Sequence, residues 1–307
     1  MALSKFLDPK YDLPFKRVFG TEKNKKILIH FLNDILGFTD VNTIQEVKFL
    51  STIMDPEIAS DKQSIVDVLC KDSFGNRYIA EMQLARDKGF EKRAQLYAAK
   101  AYSRQSGNYI DFKKVFFIAI SNSTLFPTEV EYISTHNIRD IKTNGHYLKD
   151  FQFVFIELPK FAKNKVEQLE STIERWCFFF KYAEDTTDED LKDIAEKSPI
   201  IKLAYDELDK FSWEEEDLAA YEERVLSVQK EEAIWEQRLD DASAKGRLEG
   251  IQIGHEKGRA EGREEGEKQA KIAVAKNLLK AGVSTDIVVQ TTGLTANEVK
   301  GLLSLDA

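Results

Sequence analysis

The sequence predicts a mixed α/β protein, with a core in the order helix, three strands, helix, strand, followed by a mostly helical second half. Three observations predict it. An apolar stripe at helical spacing fills residues 22–36, strand-length apolar runs recur between residues 44 and 158 around one helix-forming stretch, and strand-type runs cease near residue 165.

In EKNKKILIHFLNDIL (22–36), Ile27, Leu28, Phe31, Leu32, Ile35 and Leu36 fall on one face, and Gly37 is the stop signal. Strands are expected over residues 44–50, 64–71 and 77–84, where β-branched and aromatic residues concentrate, and again over 114–120 and 151–158. Between the third and fourth of these, EKRAQLYAAKAYSRQS (91–106) has helix-forming composition. Its Ala94, Tyr97, Ala98, Ala101 and Tyr102 sit at core-facing spacing before Gly107. Residues 167–183, 200–211 and 214–239 read as further helices packed as a cap or arm on the β domain.

From residue 246 the pattern changes. Gly246, Gly250, Gly254, Gly258, Gly262 and Gly266 recur every fourth residue among Glu, Lys and Arg. Each mid-helix glycine is unfavourable by roughly 0.8–1 kcal/mol relative to alanine, so six make an isolated helix marginal. Two readings stand: close helix–helix contact through glycine, or a charged spacer. Residues 271–307 regain apolar periodicity as three short helices with glycine turns at Gly282 and Gly293, Ser284 as a cap, and a Thr295/Glu298 capping box. The expected domains are 1–165, a helical region 166–242, the glycine-repeat segment 243–270 and a helix-turn-helix-like module 271–307. That module carries four lysines against three acids and so has no strongly basic recognition face; a packing or dimerisation module is the alternative reading.

Charge is unevenly distributed. Residues 1–120 hold 19 Lys and Arg against 15 Asp and Glu, a net +4; the remainder holds 25 against 38, a net −13. The overall −9 therefore does not argue against a nucleic-acid partner for the first half. Cys70 and Cys177 lie in apolar stretches without metal-type spacing and read as reduced core thiols. No apolar leader or membrane-length run occurs, so a cytoplasmic protein without membrane contact is expected.

The chemistry concentrates in one hairpin. Residues 72–76, DSFGN, fit a three-residue loop with Gly75 in the left-handed position. If Asp72 faces Asn76, Asp67 lies opposite Glu81, with Gln83 on the same face as Glu81 and with Ile65 and Leu69 flanking Asp67. Two facing carboxylates repel and destabilise a sheet unless a cation sits between them. Oxygen donors of this kind suit Mg²⁺ or Mn²⁺, which can activate water and offset charge on a phosphoryl group. A solvent-facing pair is the alternative, against which stand the apolar neighbours Ile65, Val66, Val68, Leu69, Ile79 and Ala80.

IVDVL (65–69), the short turn and IAEMQ (79–83) resemble the two-strand motif of PD-(D/E)XK nucleases, and the element order resembles their restriction-endonuclease-like αβββαβ core. YDLPFKRVFG (11–20), FLNDILG (31–37), RAQLY (93–97) and YSRQ (102–105) are similar to the Rpn group, described as recombination-promoting nucleases and transposase-like proteins. The resemblance implies a metal-dependent DNA endonuclease, with Asp67 and Glu81 as metal ligands and a further acid, Asp12 or Glu22, near the first helix. Gln83 takes the place of the motif's lysine, as in the Rpn group, and Val66 that of its proline. Lys16, Arg93, Tyr97 and Gln105 are candidate DNA contacts: Arg93 and Tyr97 lie one helical turn apart, so Arg93 can reach a phosphate while the ring packs or stacks, with a salt bridge for Arg93 and core packing for Tyr97 and Tyr102 as the alternatives. A homodimer or higher homo-oligomer formed through the C-terminal region is also expected. Two other functions stay open: a catalytically weak or inactive DNA-binding or assembly protein that keeps the nuclease fold, and a scaffold organised by the glycine repeat.

Overall fold

Two helices open the chain, α1 (Asp12–Phe19) and α2 (Lys25–Leu36). The structure, a computed structural model, describes residues 4–54, 64–85 and 87–303. In α1 Phe15, Val18 and Phe19 recur at three- and four-residue spacing and are buried on one stripe. The helix is not among those expected, because eight residues fall short of the window in which periodicity is legible. α2 is the helix expected over 22–36. It starts at Lys25, buries Ile27, Leu28, Phe31, Leu32 and Ile35, and stops at Gly37, whose φ of 65° is left-handed.

The strands follow as β1 (Val47–Phe49), β2 (Ile53–Met54), β3 (Ser64–Ile65), β4 (Val68–Asp72) and β5 (Arg77–Gln83). Then come α3 (Phe90–Ser103), β6 (Val115–Ser121), β7 (Ile133–Asn137) and β8 (Phe151–Glu157). The main sheet has the order β1-β4-β5-β6-β8-β7, and β2 pairs with β3 separately. β5, β6 and β8 run parallel, while β1, β4 and β7 are antiparallel to their neighbours. Helix, strands, helix and strand thus occur in the expected order. β7 goes beyond it: a half-exposed edge strand of sequence ISTHN, with no apolar run to announce it.

The hairpin has the expected register. Val68 pairs with Ala80, Leu69 with Ile79, Cys70 with Tyr78 and Lys71 with Arg77. Gly75 takes φ +89°, and the buried Asp72 carboxylate accepts from Phe74 N–H, Asn76 N–H, the Asn76 amide and the Tyr78 hydroxyl at 2.8–2.9 Å.

The strand expected over 64–71 is interrupted. Leu50 N–H bonds Leu69 C=O and Val66 N–H bonds Thr52 C=O, so Ser51 stands opposite both Asp67 and Val68. That is a β-bulge, with two residues facing one. It shifts the alternation: Val66 joins Leu69 and Ile79 in the core beneath α3, whereas Val68, Cys70, Tyr78 and Ala80 join the core of α1 and α2. Ile65 does not flank Asp67 in that core, because it is half exposed on the separate β2–β3 pair.

Four helices follow: α4 (Thr172–Tyr182), α5 (Asp188–Lys197), α6 (Pro199–Leu208) and α7 (Glu215–Lys280). Trp176 of α4 packs on Phe19 and Phe31 with ring centroids 5.9 and 5.4 Å apart, and its indole donates to Asp34 at 2.8 Å. α4 and α6 thereby share one core with α1, α2 and a face of the sheet. Compactness divides the chain into two units, Met1–Leu226 and Ser227–Ala307, with the division within α7.

In the second unit the glycine row is helical and exposed, and a Cβ added at any of the six positions meets nothing within 4 Å. α8 (Thr285–Thr292) and α9 (Ala296–Leu303) close over a small core of Ala275, Val288, Leu294 and Val299 with the end of α7. The Thr295 and Glu298 capping box is formed, and Gly282 and Gly293 are left-handed as the turns require. Ser284 occupies the N-cap of α8 without a side-chain capping bond, contrary to its expected role. Among the described residues, no helix is long and apolar enough to cross a membrane.

Candidate metal centre

The bulge and the strand beside it set the two acids. Asp67 lies at the bulge, and Glu81 near the C-terminal end of β5, where the parallel strands β5 and β6 finish. Asp67 N–H donates to Glu81 Oε2 at 3.0 Å, and Met82 N–H donates to Asp67 Oδ2 at 2.9 Å. Each carboxylate therefore spends one oxygen on the other's strand. Asp67 Oδ1 faces the Lys16 ammonium of α1 at 3.7 Å, and among the described residues Glu81 Oε1 has no hydrogen bond.

Both acids lie largely inside the protein, Glu81 at 7% exposure and the Asp67 side chain at 17%. Burial is the main cause that raises the Glu81 pKa to about 8 from the ordinary 4.5, with the Asp67 charge adding to it and Arg93 and Lys16 opposing it. Asp67 is also raised, chiefly by burial and secondarily by Asp12, against the Met82 N–H and Lys16. One ammonium at 3.7 Å does not offset two carboxylates held largely inside the protein, and both are raised, Glu81 the more.

That donor set fits a hard divalent cation. It offers only oxygen ligands, and the positive charge it lacks is the kind a 2+ ion supplies. Asp12 is exposed at the start of α1, close enough for its charge to act on Asp67. Among the described residues, however, no three His, Cys, Asp or Glu side chains converge as a ready-made cluster. Glu22 is highly exposed and paired with Lys25.

Of the other expected residues, Lys16, Arg93 and Tyr97 gather around the acids. Arg93 donates to the Gln83 carbonyl oxygen, and Tyr97 lies against it with the guanidinium 6.0 Å from its ring centroid. Gln105 does something else: its amide clamps both the N–H and the C=O of Lys113 at 2.8 Å. Tyr102 is a packing residue whose hydroxyl donates to Asp150 at 2.7 Å. Gln83 lies beside the acids, its side-chain nitrogen donating to Ala85 C=O at 2.5 Å while its side-chain oxygen accepts from Arg93. Asp87, which pairs with Arg93, went unnoticed in the sequence; its position six residues before Arg93 was the available signal.

A parallel-centred sheet flanked by helices, with two facing acids near the ends of its strands, defines an α/β protein with a candidate metal centre. The profile described as PD-(D/E)XK nuclease family transposase matches residues 9–236, and the chain belongs to that family. Residues 268–304 match the Rpn/YhgA-like nuclease family C-terminal HTH domain, which is the small module around α8 and α9. No curated protein and no solved structure shows a significant match to the chain.

Proposed function

We propose that this protein is a divalent-metal-dependent DNA endonuclease whose centre is formed by Asp67 and Glu81. The observation that carries the proposal is the facing pair: the buried Glu81 and partly buried Asp67 carboxylates, tied to each other's strand through backbone N–H groups, with Glu81 Oε1 unbonded among the described residues and Asp67 Oδ1 facing the Lys16 ammonium that a metal ion could displace. Family membership supports the reaction class. Asp67 and Glu81 would hold Mg²⁺ or Mn²⁺, with Asp12 as a nearby acid that could join them. The bound ion would supply Lewis-acid charge and a water of lowered pKa.

The chain's own residues account for the rest. Lys16 balances the carboxylates before the ion arrives, and once it is freed from Asp67 its ammonium is available to a backbone phosphate. Tyr97 walls the site with a ring whose burial, above all, raises its hydroxyl pKa, so it serves as a neutral donor or surface at working pH. The HTH module supports DNA as the partner.

The test is incubation of supercoiled plasmid with wild type and Asp67→Ala in Mg²⁺, Mn²⁺ or EDTA. Cleavage is expected only in wild type with metal. Cleavage that survives either the substitution or the chelator overturns the assigned centre, and a wild type that binds DNA without nicking it favours the non-catalytic alternative.

A further inference from the structure

The lysine position of the two-strand motif holds Gln83, which carries no charge. Each end of its amide has a protein partner: the nitrogen donates to Ala85 C=O and the oxygen accepts from Arg93. This assignment is internally forced, because a carbonyl can only accept and a guanidinium can only donate. Gln83 therefore behaves as a holder, and what it holds is Arg93.

Arg93 is fixed on every side but one. Its backbone sits in the first turn of α3, its guanidinium lies 4.9 Å over the Phe90 ring, Nη1 reaches Asp87 at 2.5 Å and Nη2 reaches Gln83. Among the described residues its Nε is buried and has no hydrogen-bond partner. The guanidinium is close enough to Glu81 and Tyr97 for its charge to stabilise the anionic form of both.

We propose that Arg93 supplies, at the scissile phosphodiester, the fixed positive charge that the motif's lysine position lacks, and that Gln83 is the positioning residue that aims it. The inference rests on the nuclease reading. Water adds across the P–O bond: its oxygen bonds phosphorus, the P–O bond to the leaving sugar oxygen breaks, and that oxygen ends with a proton. Arg93 takes no proton at any point, because a guanidinium stays charged at all working pH. Its task is to meet the extra negative charge on the phosphoryl oxygens in the transition state, through the Nη N–H bonds not spent on Asp87 and Gln83. The surface ion pair with Asp87, itself 43% exposed, steadies the group without neutralising it fully.

The decisive experiment relocates the charge. Full-length wild type, Arg93→Gln, Arg93→Lys and the double variant Gln83→Lys/Arg93→Gln are compared for kcat and KM in plasmid nicking, for Mn²⁺ affinity by calorimetry, and for thermal unfolding. Arg93→Gln is expected to lose roughly a hundredfold in kcat while Mn²⁺ affinity and the unfolding temperature stay near wild type. Arg93→Lys should retain more activity than Arg93→Gln. The double variant, with the positive charge returned to the motif position, should regain about tenfold or more of the loss. A wild type that cleaves while Arg93→Gln keeps its kcat, or a double variant no better than Arg93→Gln, overturns this inference alone. Absence of any Asp67-dependent cleavage in wild type overturns the nuclease reading and this inference with it.

Discussion

Replacing Glu81 by glutamine should stabilise the metal-free protein, and increasingly so as the pH rises. Burial beside Asp67 lifts the Glu81 pKa to about 8 from 4.5. The folded state therefore holds a proton that the unfolded chain releases through the whole interval between those values. Stability contributed by the protonated acid is complete below pH 4.5 and falls as the pH climbs toward 8. At ~1.4 kcal/mol per unit, the full shift corresponds to ~5 kcal/mol, and at pH 7 to ~3 kcal/mol. Water entry and relaxation around a polar site reduce the observable effect to roughly half that.

Glutamine keeps an oxygen to accept the Asp67 N–H and carries no ionisable proton, so it removes the dependence without removing the bond. Urea unfolding of both proteins in EDTA, from pH 5 to pH 9, provides the measurement. The two should nearly coincide at pH 5 and separate by about 2 kcal/mol at pH 8, the variant being the more stable. Parallel stability curves, or a variant less stable at pH 8, would refute the claim that Glu81 is held against its charge.

Three further outcomes follow from particular contacts. Gly75→Ala forces a side chain into φ +89° and against the Lys113 side chain at 3.2 Å, so urea unfolding should show a loss of about 1–2 kcal/mol. Asp72→Ala leaves two turn N–H groups, the Asn76 amide and the Tyr78 hydroxyl without their acceptor, and should lower stability by about 3 kcal/mol in the same assay. Changing the six α7 glycines to alanine meets open space in a single chain and should raise helix stability by roughly 0.8–1 kcal/mol at each site, read by hydrogen exchange over residues 246–266. Lower protection there, together with a smaller particle by light scattering, would mean that the glycines are packed against a second copy.

The sequence carried most of the core and the pairing within the centre. Apolar stripes located α2 and α3, continuous apolar runs located β6 and β8, and the DSFGN turn fixed the register that sets Asp67 against Glu81. What it did not reveal has physical reasons. α1 is too short to show a period, although its Phe15, Val18 and Phe19 were visible. β7 faces solvent and needs no apolar alternation. The bulge at Asp67 arises from pairing with residues 50–52 on another strand, which no local pattern encodes. α5 announced itself only through the Thr187 and Asp190 capping box. The role of Gln83 was hidden because it depends on Arg93, ten residues away on α3.

Titration calorimetry of Mn²⁺ into wild type, Asp67→Ala and Glu81→Gln at pH 7, in two buffers of different ionisation heat, tests the metal centre most directly. Wild type should bind saturably and release close to one proton per ion, because Glu81 must give up the proton it holds below pH 8. Asp67→Ala should lose the binding, and Glu81→Gln should bind more weakly with no proton released. Undiminished binding in Asp67→Ala, or binding in wild type with no proton released, would contradict the assignment of Asp67 and Glu81 as the paired ligands.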